Sequence, residues 1–275
     1  MVRSFHFVKT DPAGNTTILV LDPVKKEDRS AVSRKLMEER SLAAEQVAFL
    51  EAEPPRFSDI AIGMMGGEFC GNATRSAAAW LLFDRLRWQP EKGKAEASYE
   101  VSCSGMDHNM ICHVKRAEDN LFDVSAPMPH PLSIEESPLH DGALWHVAFA
   151  GITHHCFFMK EAMAPEEKEA VVSDILAHHP VPHGGAAGIL FWDGKVLDPR
   201  VYVKDTDTLV AESSCGSGTA AIACAAAARS GGEAHITAAQ PGGTIEGHCR
   251  LRDGKAESLS ISGAVRIAAE GIAYI

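Results

Sequence analysis

The chain lacks the short motifs that most often indicate a bound metal or nucleotide. None of its seven cysteines belongs to a Cys-x-x-Cys pair, which removes the usual zinc and thioredoxin-like signatures. No P-loop occurs, and the run GMMGGEFCGN does not have the spacing of a dinucleotide fingerprint. In HHPVPHGG, Pro180 and Pro182 interrupt the helix that a zincin-type histidine pair requires, so a loop is predicted there. The sequence therefore predicts neither a metal site nor an organic cofactor.

Basic clusters and long apolar runs are also missing. The 37 acidic residues outnumber the 26 basic ones, and no Lys/Arg-rich segment stands out, so no nucleic-acid or anionic membrane partner is expected. No stretch approaches the roughly 18 apolar residues of a membrane span. The start, MVRSFHFVKTDPAGN, alternates like a strand and does not resemble a signal peptide. We expect a cytoplasmic protein with reduced thiols.

Hydrophobic periodicity predicts a mixed α/β (α+β) fold. Short β-rich runs alternate with helical patterns near Glu27 to Arg40 and Pro165 to Ala177, and with two Ala-rich runs that each follow a Cys-Gly pair. The stretch APMPHPLSIEESPLHDG has no clear period and is interpreted as a connection. We expect an N-terminal domain over residues 1–128, to which a strand at about 264–275 returns, and a C-terminal domain over residues 129–263.

The two Ala-rich runs, EFCGNATRSAAAWLL and SSCGSGTAAIACAAAA, resemble each other. Their Cys-Gly pairs begin at Cys70 and Cys215, each followed by Thr four positions on and Ala eight positions on. Both runs end a β-rich segment and begin a helix that is small or apolar on nearly all faces. Such a helix belongs inside, so we predict one central helix in each domain, wrapped by its own sheet.

A cysteine at a helix start has distinctive chemistry. The first turn leaves backbone N–H groups without partners and carries the positive end of the helix dipole. We therefore expect the pKa of such a thiol to fall below its reference value of about 8.5. The same bare amides can bind a carboxylate. A single turn of this kind could also be a nucleophile or simply a well-capped core helix.

Two such turns facing one cleft would do more. They could hold the carboxylate of an amino acid and place one sulfur on each side of its α-carbon. A thiolate would remove the α-hydrogen and a thiol would deliver a hydrogen to the opposite face. The helix starts would stabilise the carbanion as an oxyanion hole does.

These residues resemble the cofactor-independent, two-cysteine amino-acid racemases and epimerases of the diaminopimelate epimerase fold. The segments DPAGNTTILV, EQVAFLE, GGEFCGNATRS, ESSCGSGTAAIA and QPGGTI are closer to the histidine racemases of staphylopine-type metallophore biosynthesis. The resemblance implies two pseudo-symmetric domains, each a mixed sheet or barrel around an Ala-rich helix. It also implies an L/D-histidine racemase without cofactor, and a possible homodimer.

The resemblance also assigns roles to particular residues. Cys70 and Cys215 would be the acid/base pair. Asn15 would contact substrate, with an Asx turn as its alternative. Glu45 would accept a hydrogen bond from a substrate imidazole or ammonium, with a solvated glutamate at the end of a strand as its alternative. The gapless match to a family histidine is His154, with His155 an equal neighbour, and Glu212 would hold the substrate amino group or favour the helix start. Carboxylate-binding amides would come from Gly71, Asn72, Ala73, Gly216, Ser217, Gly218 and Thr219.

Departures from the family pattern keep alternatives open. The run GMMGGE replaces the N-A-D-G-S that diaminopimelate epimerases carry, so diaminopimelate is a weaker candidate. The alternatives are a diaminopimelate or hydroxyproline epimerase, a thiol-free isomerase that uses an acid near Glu45, and a thiol redox or metal-binding protein. The remaining cysteines are expected to be buried hydrophobes: Cys103, Cys112, Cys156, Cys224 and Cys249.

Overall fold

The computed structural model describes residues 2–53, 57–88, 95–138, 140 and 142–275. The chain forms two compact units. Unit 1 contains Met1–Pro127 with Ser262–Ile275, and unit 2 contains Met128–Ile261. The predicted mixed α/β class is confirmed. The domains predicted from the sequence, residues 1–128 and 129–263, are regions expected to fold independently. Their boundaries stay a prediction.

Within the described ranges, the strands are β1 Ser4–Asp11, β2 Thr17–Val20, β3 Gln46–Leu50, β4 Ile60–Met64, β5 Glu96–Cys103, β6 Met110–Glu118, β7 Leu121–Pro127, β8 Ser133–Glu136, β9 Leu144–Phe149, β10 Ile152–Phe158, β11 Ala186–Trp192, β12 Leu197–Val203, β13 Thr208–Ala211, β14 Glu233–Gln240, β15 Gly243–Arg252 and β16 Lys255–Tyr274. The helices are α1 Lys26–Met37, α2 Gly71–Trp88, α3 Pro165–His178 and α4 Gly216–Arg229. None of these helices is both long and apolar enough to cross a membrane.

Unit 1 is a closed eight-stranded sheet around α2. The strands β1 to β7 are hydrogen-bonded in chain order, and β16 completes the ring by pairing with β7 and, over residues 266–274, with β1. The helix is Ala-rich, and its residues 71 to 79 are all buried, because small side chains let the strands approach it closely. Helix α1 packs through Val32 and Leu36 against a second apolar cluster.

Unit 2 is built on a six-stranded sheet in the order β13-β12-β11-β10-β9-β8. Its α4 packs against this sheet and against the β14–β15 hairpin. Gly231 ends the helix, because its φ of 92° is a left-handed conformation that glycine adopts without strain. Successive side chains of a strand point to opposite faces of the sheet. On β11, Leu190 therefore points towards α4, whereas Ile189 packs in the apolar cluster that also contains residues of α3.

Candidate active site

The first cysteine lies directly before α2. The Sγ atom of Cys70 accepts a hydrogen bond from the backbone N–H of Ala73 at 3.4 Å and donates one to Oε1 of Gln46 at 3.2 Å. The hydroxyl of Thr74 donates to the Cys70 carbonyl at 2.9 Å, which holds the turn. The side chain is half-buried. A sulfur at a helix start, supported by amide donors, is therefore present as the sequence predicts.

Three further predicted residues meet near this turn. The amide of Asn72 donates to Oδ1 of Asn15 at 3.1 Å, and the amide of Asn15 donates to Oε2 of Glu45 at 2.8 Å. The turn before β2 is stabilised by Asp11, whose carboxylate accepts the N–H of Gly14. The Asx-type hydrogen bond of this turn thus comes from Asp11. The Asn15 side chain instead connects Glu45 to the start of α2 through two hydrogen bonds.

The second cysteine caps α4. Its Sγ accepts the N–H of Gly218 at 3.3 Å, and its own N–H donates to Oε1 of Gln240 at 2.8 Å. The backbone N–H and the hydroxyl of Thr219 both donate to the Cys215 carbonyl, at 3.0 and 2.8 Å. Thr219 was expected to offer an amide to a carboxylate. Its N–H is already bonded inside the helix, so Thr219 supports the turn instead.

The surroundings of Cys215 include three other predicted residues. The hydroxyl of Ser217 lies 3.6 Å from Sγ of Cys215 and 3.0 Å from Nε2 of His154. The carboxylate of Glu212 hydrogen-bonds the Cys215 thiol. His154 is completely buried, and burial lowers its pKa to about 3, so its ring is neutral. Hydrogen bonds thus connect His154 to Ser217 and Ser217 to Cys215.

The neighbouring histidine lies elsewhere. His155 points to the other face of β10, where its Nδ1 is 2.8 Å from Nδ1 of His146 and its ring packs against His179. These three rings border a cavity of about 440 Å³ that does not include Cys215. Strand alternation thereby separates the two candidates, and His154 is the one on the Cys215 side.

The expectation that the helix starts lower the pKa values of both thiols is wrong. Burial raises the pKa of Cys70 to about 12, although the Ala73 amide and Gln46 act in the opposite direction. Burial also raises the pKa of Cys215 well above its ordinary value, and the carboxylate of Glu212 adds to the effect. The free-energy cost of removing a thiolate from water outweighs the favourable interaction of that thiolate with the helix start. Both thiols therefore hold their protons near neutral pH.

Two glutamines beside the thiols carry no motif of their own. Gln46 and Gln240 contact the cysteine turns from β3 and β14, at the edges of the segments EQVAFLE and QPGGTI. Their position in these two segments, which resemble the family, was the only feature of the sequence that could have indicated a role for the two glutamines. All seven cysteines are free thiols. Among the residues that the structure describes, no group of three His, Cys, Asp or Glu side chains could hold a metal ion.

Solved structures with a similar fold include an epimerase. A hydroxyproline epimerase from Agrobacterium vitis, solved with trans-4-hydroxy-L-proline bound, matches with a TM-score of 0.68 over 99% of this chain and 91% of that chain. Its sequence identity of 12% shows the fold alone. Fold and relatives together define the chain as an isomerase of the amino-acid racemase class.

The particular family follows from sequence. A histidine racemase of Fusobacterium nucleatum subsp. nucleatum is 33% identical over 279 residues, covering 100% of this chain and 98% of the relative. A histidine racemase of Staphylococcus aureus is 27% identical, covering 98% and 97%. The family model described as "Histidine racemase CntK N-terminal domain" matches residues 4–274. The chain belongs to this family, which confirms the resemblance inferred from the sequence.

Proposed function

We propose that this racemase interconverts L- and D-histidine, with Cys70 and Cys215 as acid and base on opposite faces of the α-carbon. The observation that carries the proposal is that both Cys-Gly turns make the same two hydrogen bonds. In each turn, the sulfur accepts the amide hydrogen three positions on, at 3.4 and 3.3 Å. In each, a threonine hydroxyl four positions on donates to the cysteine carbonyl, at 2.9 and 2.8 Å. A two-base racemase requires one acid/base group on each face of the α-carbon, and these two equivalently held thiols are candidates for that pair.

The substrate carboxylate would be held by the helix starts. The first N–H groups of a helix have no partner within it and attract anions. The amides of Gly71, Asn72, Gly216 and Ser217 occupy these positions in α2 and α4. In the proposed complex these amides would face the carboxylate, into which negative charge spreads when the α-proton leaves, so they would stabilise the carbanion more than the substrate.

The proton transfer balances without any other reagent. One cysteine enters the reaction as thiolate and the other as thiol. The α-carbon C–H bond breaks as an S–H bond forms on the thiolate, and the carbanion then takes the proton of the opposing thiol. The product has the inverted configuration, and the two sulfurs have exchanged protonation states. Because burial disfavours the thiolate, the sulfur that does ionise is a stronger base than an exposed one.

The histidine assignment rests on the family and on two acidic residues. Glu45 already accepts one amide hydrogen from Asn15, and a carboxylate can accept further hydrogen bonds, so it would take one from the substrate imidazole. Glu212, three positions before Cys215, would hold the substrate ammonium. His154 would position Ser217 beside the sulfur.

The test is racemisation of single enantiomers by variants. Wild-type protein is expected to convert L-histidine to a racemic mixture, followed by circular dichroism and chiral chromatography. Cys70→Ala and Cys215→Ala are expected to lose this activity. Cys156→Ala, which alters another buried thiol of unit 2, is the matched control and is expected to keep it.

Two outcomes would contradict the proposal. Racemisation by either active-site variant at the wild-type rate would remove the thiols from the mechanism. A panel that includes proline, hydroxyproline and diaminopimelate tests the substrate, and a clear preference for one of these would remove histidine.

The wider assignments also belong to this proposal. The resemblance supports two pseudo-symmetric domains of the diaminopimelate epimerase type, a cytoplasmic location, a homodimer, and a role in making an opine metallophore. Light scattering of the purified protein tests the dimer directly, because a monomer mass at micromolar concentration would contradict it.

A further inference from the structure

A buried arginine lies at the inner end of a chain of hydrogen-bonded side chains in unit 1. Arg75 on α2 is completely buried, and its Nη2 donates to Oδ1 of Asn72 at 2.8 Å. Its buried Nε and Nη1 make no hydrogen bond to any residue that the structure describes. A guanidinium has five N–H donors, and unpaired donors in the interior are costly. This cost points to a use for the arginine other than stability.

The chain of side chains continues outwards from Asn72. Its Nδ2 donates to Oδ1 of Asn15 at 3.1 Å, and Nδ2 of Asn15 donates to Oε2 of Glu45 at 2.8 Å. Exposure rises along the chain, from the buried Asn72 through the half-buried Asn15 to the exposed Glu45. Three successive hydrogen bonds therefore connect the packed interior to a carboxylate at the surface.

The two ends of this chain determine how both amides are turned. An arginine side chain offers donors alone, so the amide oxygen of Asn72 faces Arg75 and its NH2 group faces away. That NH2 group requires an acceptor, so Asn15 turns its oxygen towards Asn72 and its own NH2 group towards Glu45. An ionised carboxylate is an acceptor alone and requires a donor at this place. Turning either amide over would put donor against donor, or acceptor against acceptor.

A carboxylate held in this way is prepared for a ligand. An exposed glutamate side chain populates several rotamers, and fixing one of them on binding costs conformational entropy. The hydrogen bond from Asn15 already restricts Glu45 before a ligand arrives, so less entropy is lost when one binds.

We propose that Arg75 is a positioning residue that fixes the side-chain amides of Asn72 and Asn15 in one orientation. The carboxylate of Glu45 is thereby held in place for the substrate imidazole. The role of Glu45 rests on the proposed function, whereas the orientation of the two amides does not.

The first test measures KM and kcat for L-histidine in wild type, Arg75→Met, Glu45→Ala and the double variant. The imidazole is not the reacting group, so weakening its contact is expected to raise KM and leave kcat unchanged. Each single variant is expected to raise KM about tenfold, the effect of losing one hydrogen bond to a charged group. The double variant is expected to raise KM no further, because both changes act on the same contact.

Arg29→Met is the matched control. Arg29 is also a buried arginine of unit 1, and it donates two hydrogen bonds to the carboxylate of Glu51, at 2.7 and 2.9 Å. This variant is expected to unfold at lower urea concentration while keeping the wild-type KM and kcat. An unchanged KM in a folded Arg75→Met protein, or increases in KM that multiply in the double variant, would overturn the proposal.

The second test uses the wild-type protein, so it depends neither on a variant being stable nor on histidine being the substrate. A neutron crystal structure of deuterium-exchanged protein locates the amide deuterons. Those of Asn72 are expected to point towards Asn15, and those of Asn15 towards Glu45. The opposite orientation of either amide would overturn the proposal. Failure of the proposed function is distinguishable, because wild-type protein would then leave L-histidine unchanged while the deuterons keep their expected positions.

Discussion

Gly188 on β11 has no room for a side chain, because His154 occupies the space beside it. A Cβ atom added at Gly188 would lie 2.0 Å from Nδ1 and 2.6 Å from Cε1 of His154. The histidine ring is completely buried and hydrogen-bonded to Ser217 at 3.0 Å, so it cannot move into solvent without breaking that bond. Gly188→Ala is therefore expected to displace His154 and to disturb the hydrogen bonds that reach Cys215.

The size of the effect follows from two contributions. Forcing one extra methyl group into a packed interior costs about 1–3 kcal/mol. Loss of the His154–Ser217 hydrogen bond adds about 0.5–1.5 kcal/mol. The free energy of unfolding is therefore expected to fall by about 1.5–4.5 kcal/mol, and racemisation is expected to fall with it.

Urea denaturation followed by circular dichroism gives the change in stability. Gly271→Ala is the matched control, since its nearest neighbours would lie 3.6 and 3.8 Å from the new Cβ atom, and a change below about 0.5 kcal/mol is expected. In the double variant with His154→Ala, the clash is removed and the two losses should not add. A Gly188→Ala protein with wild-type stability and activity would refute the reasoning.

Three further outcomes are expected. Glu212→Gln should lower the pKa of Cys215, because the carboxylate raises it, and alkylation in a Cys70→Ala background should become faster at neutral pH. Gln240→Leu should cost about 1–3 kcal/mol in urea unfolding and reduce activity, since it leaves the buried N–H of Cys215 unpaired. Arg29 lowers the pKa of Glu51 in the folded state, so the carboxylate stabilises the protein above its ordinary pKa of 4.5 and this contribution disappears as the pH falls through the lowered value. The stability difference between wild type and Glu51→Gln should accordingly be full at pH 7 and vanish in acid.

Local features of the sequence predicted the main elements well. The starts of α2 and α4 follow from the Cys-Gly pairs, because glycine and small polar residues precede Ala-rich runs with high helix propensity. Helix α1 was expected near Glu27 to Arg40 and ends earlier, at Met37. Helix ends depend on weak capping interactions, so their last residues are the least predictable part of an element.

Contacts between distant segments were not predictable in the same way. Gln46 contacts the Cys70 turn from the closed sheet, Gln240 contacts the Cys215 turn from the hairpin, and no short motif marks either residue. The sequence also placed His154 and His155 side by side without showing which faces α4. The prediction of lowered thiol pKa values was wrong for a related reason. The helix start is visible in the sequence, whereas the depth of burial is not.

The most direct measurement of the central claim is the position of deuterium early in the reaction. L-Histidine is incubated with the wild-type protein in heavy water. At low conversion the two enantiomers are separated, and the deuterium content of each is measured by mass spectrometry. Two separate thiols predict that the D-histidine formed carries one solvent deuterium while the recovered L-histidine remains mostly protiated. Product that retains the original hydrogen would show that a single group moves the proton across the carbon, and the account would fail.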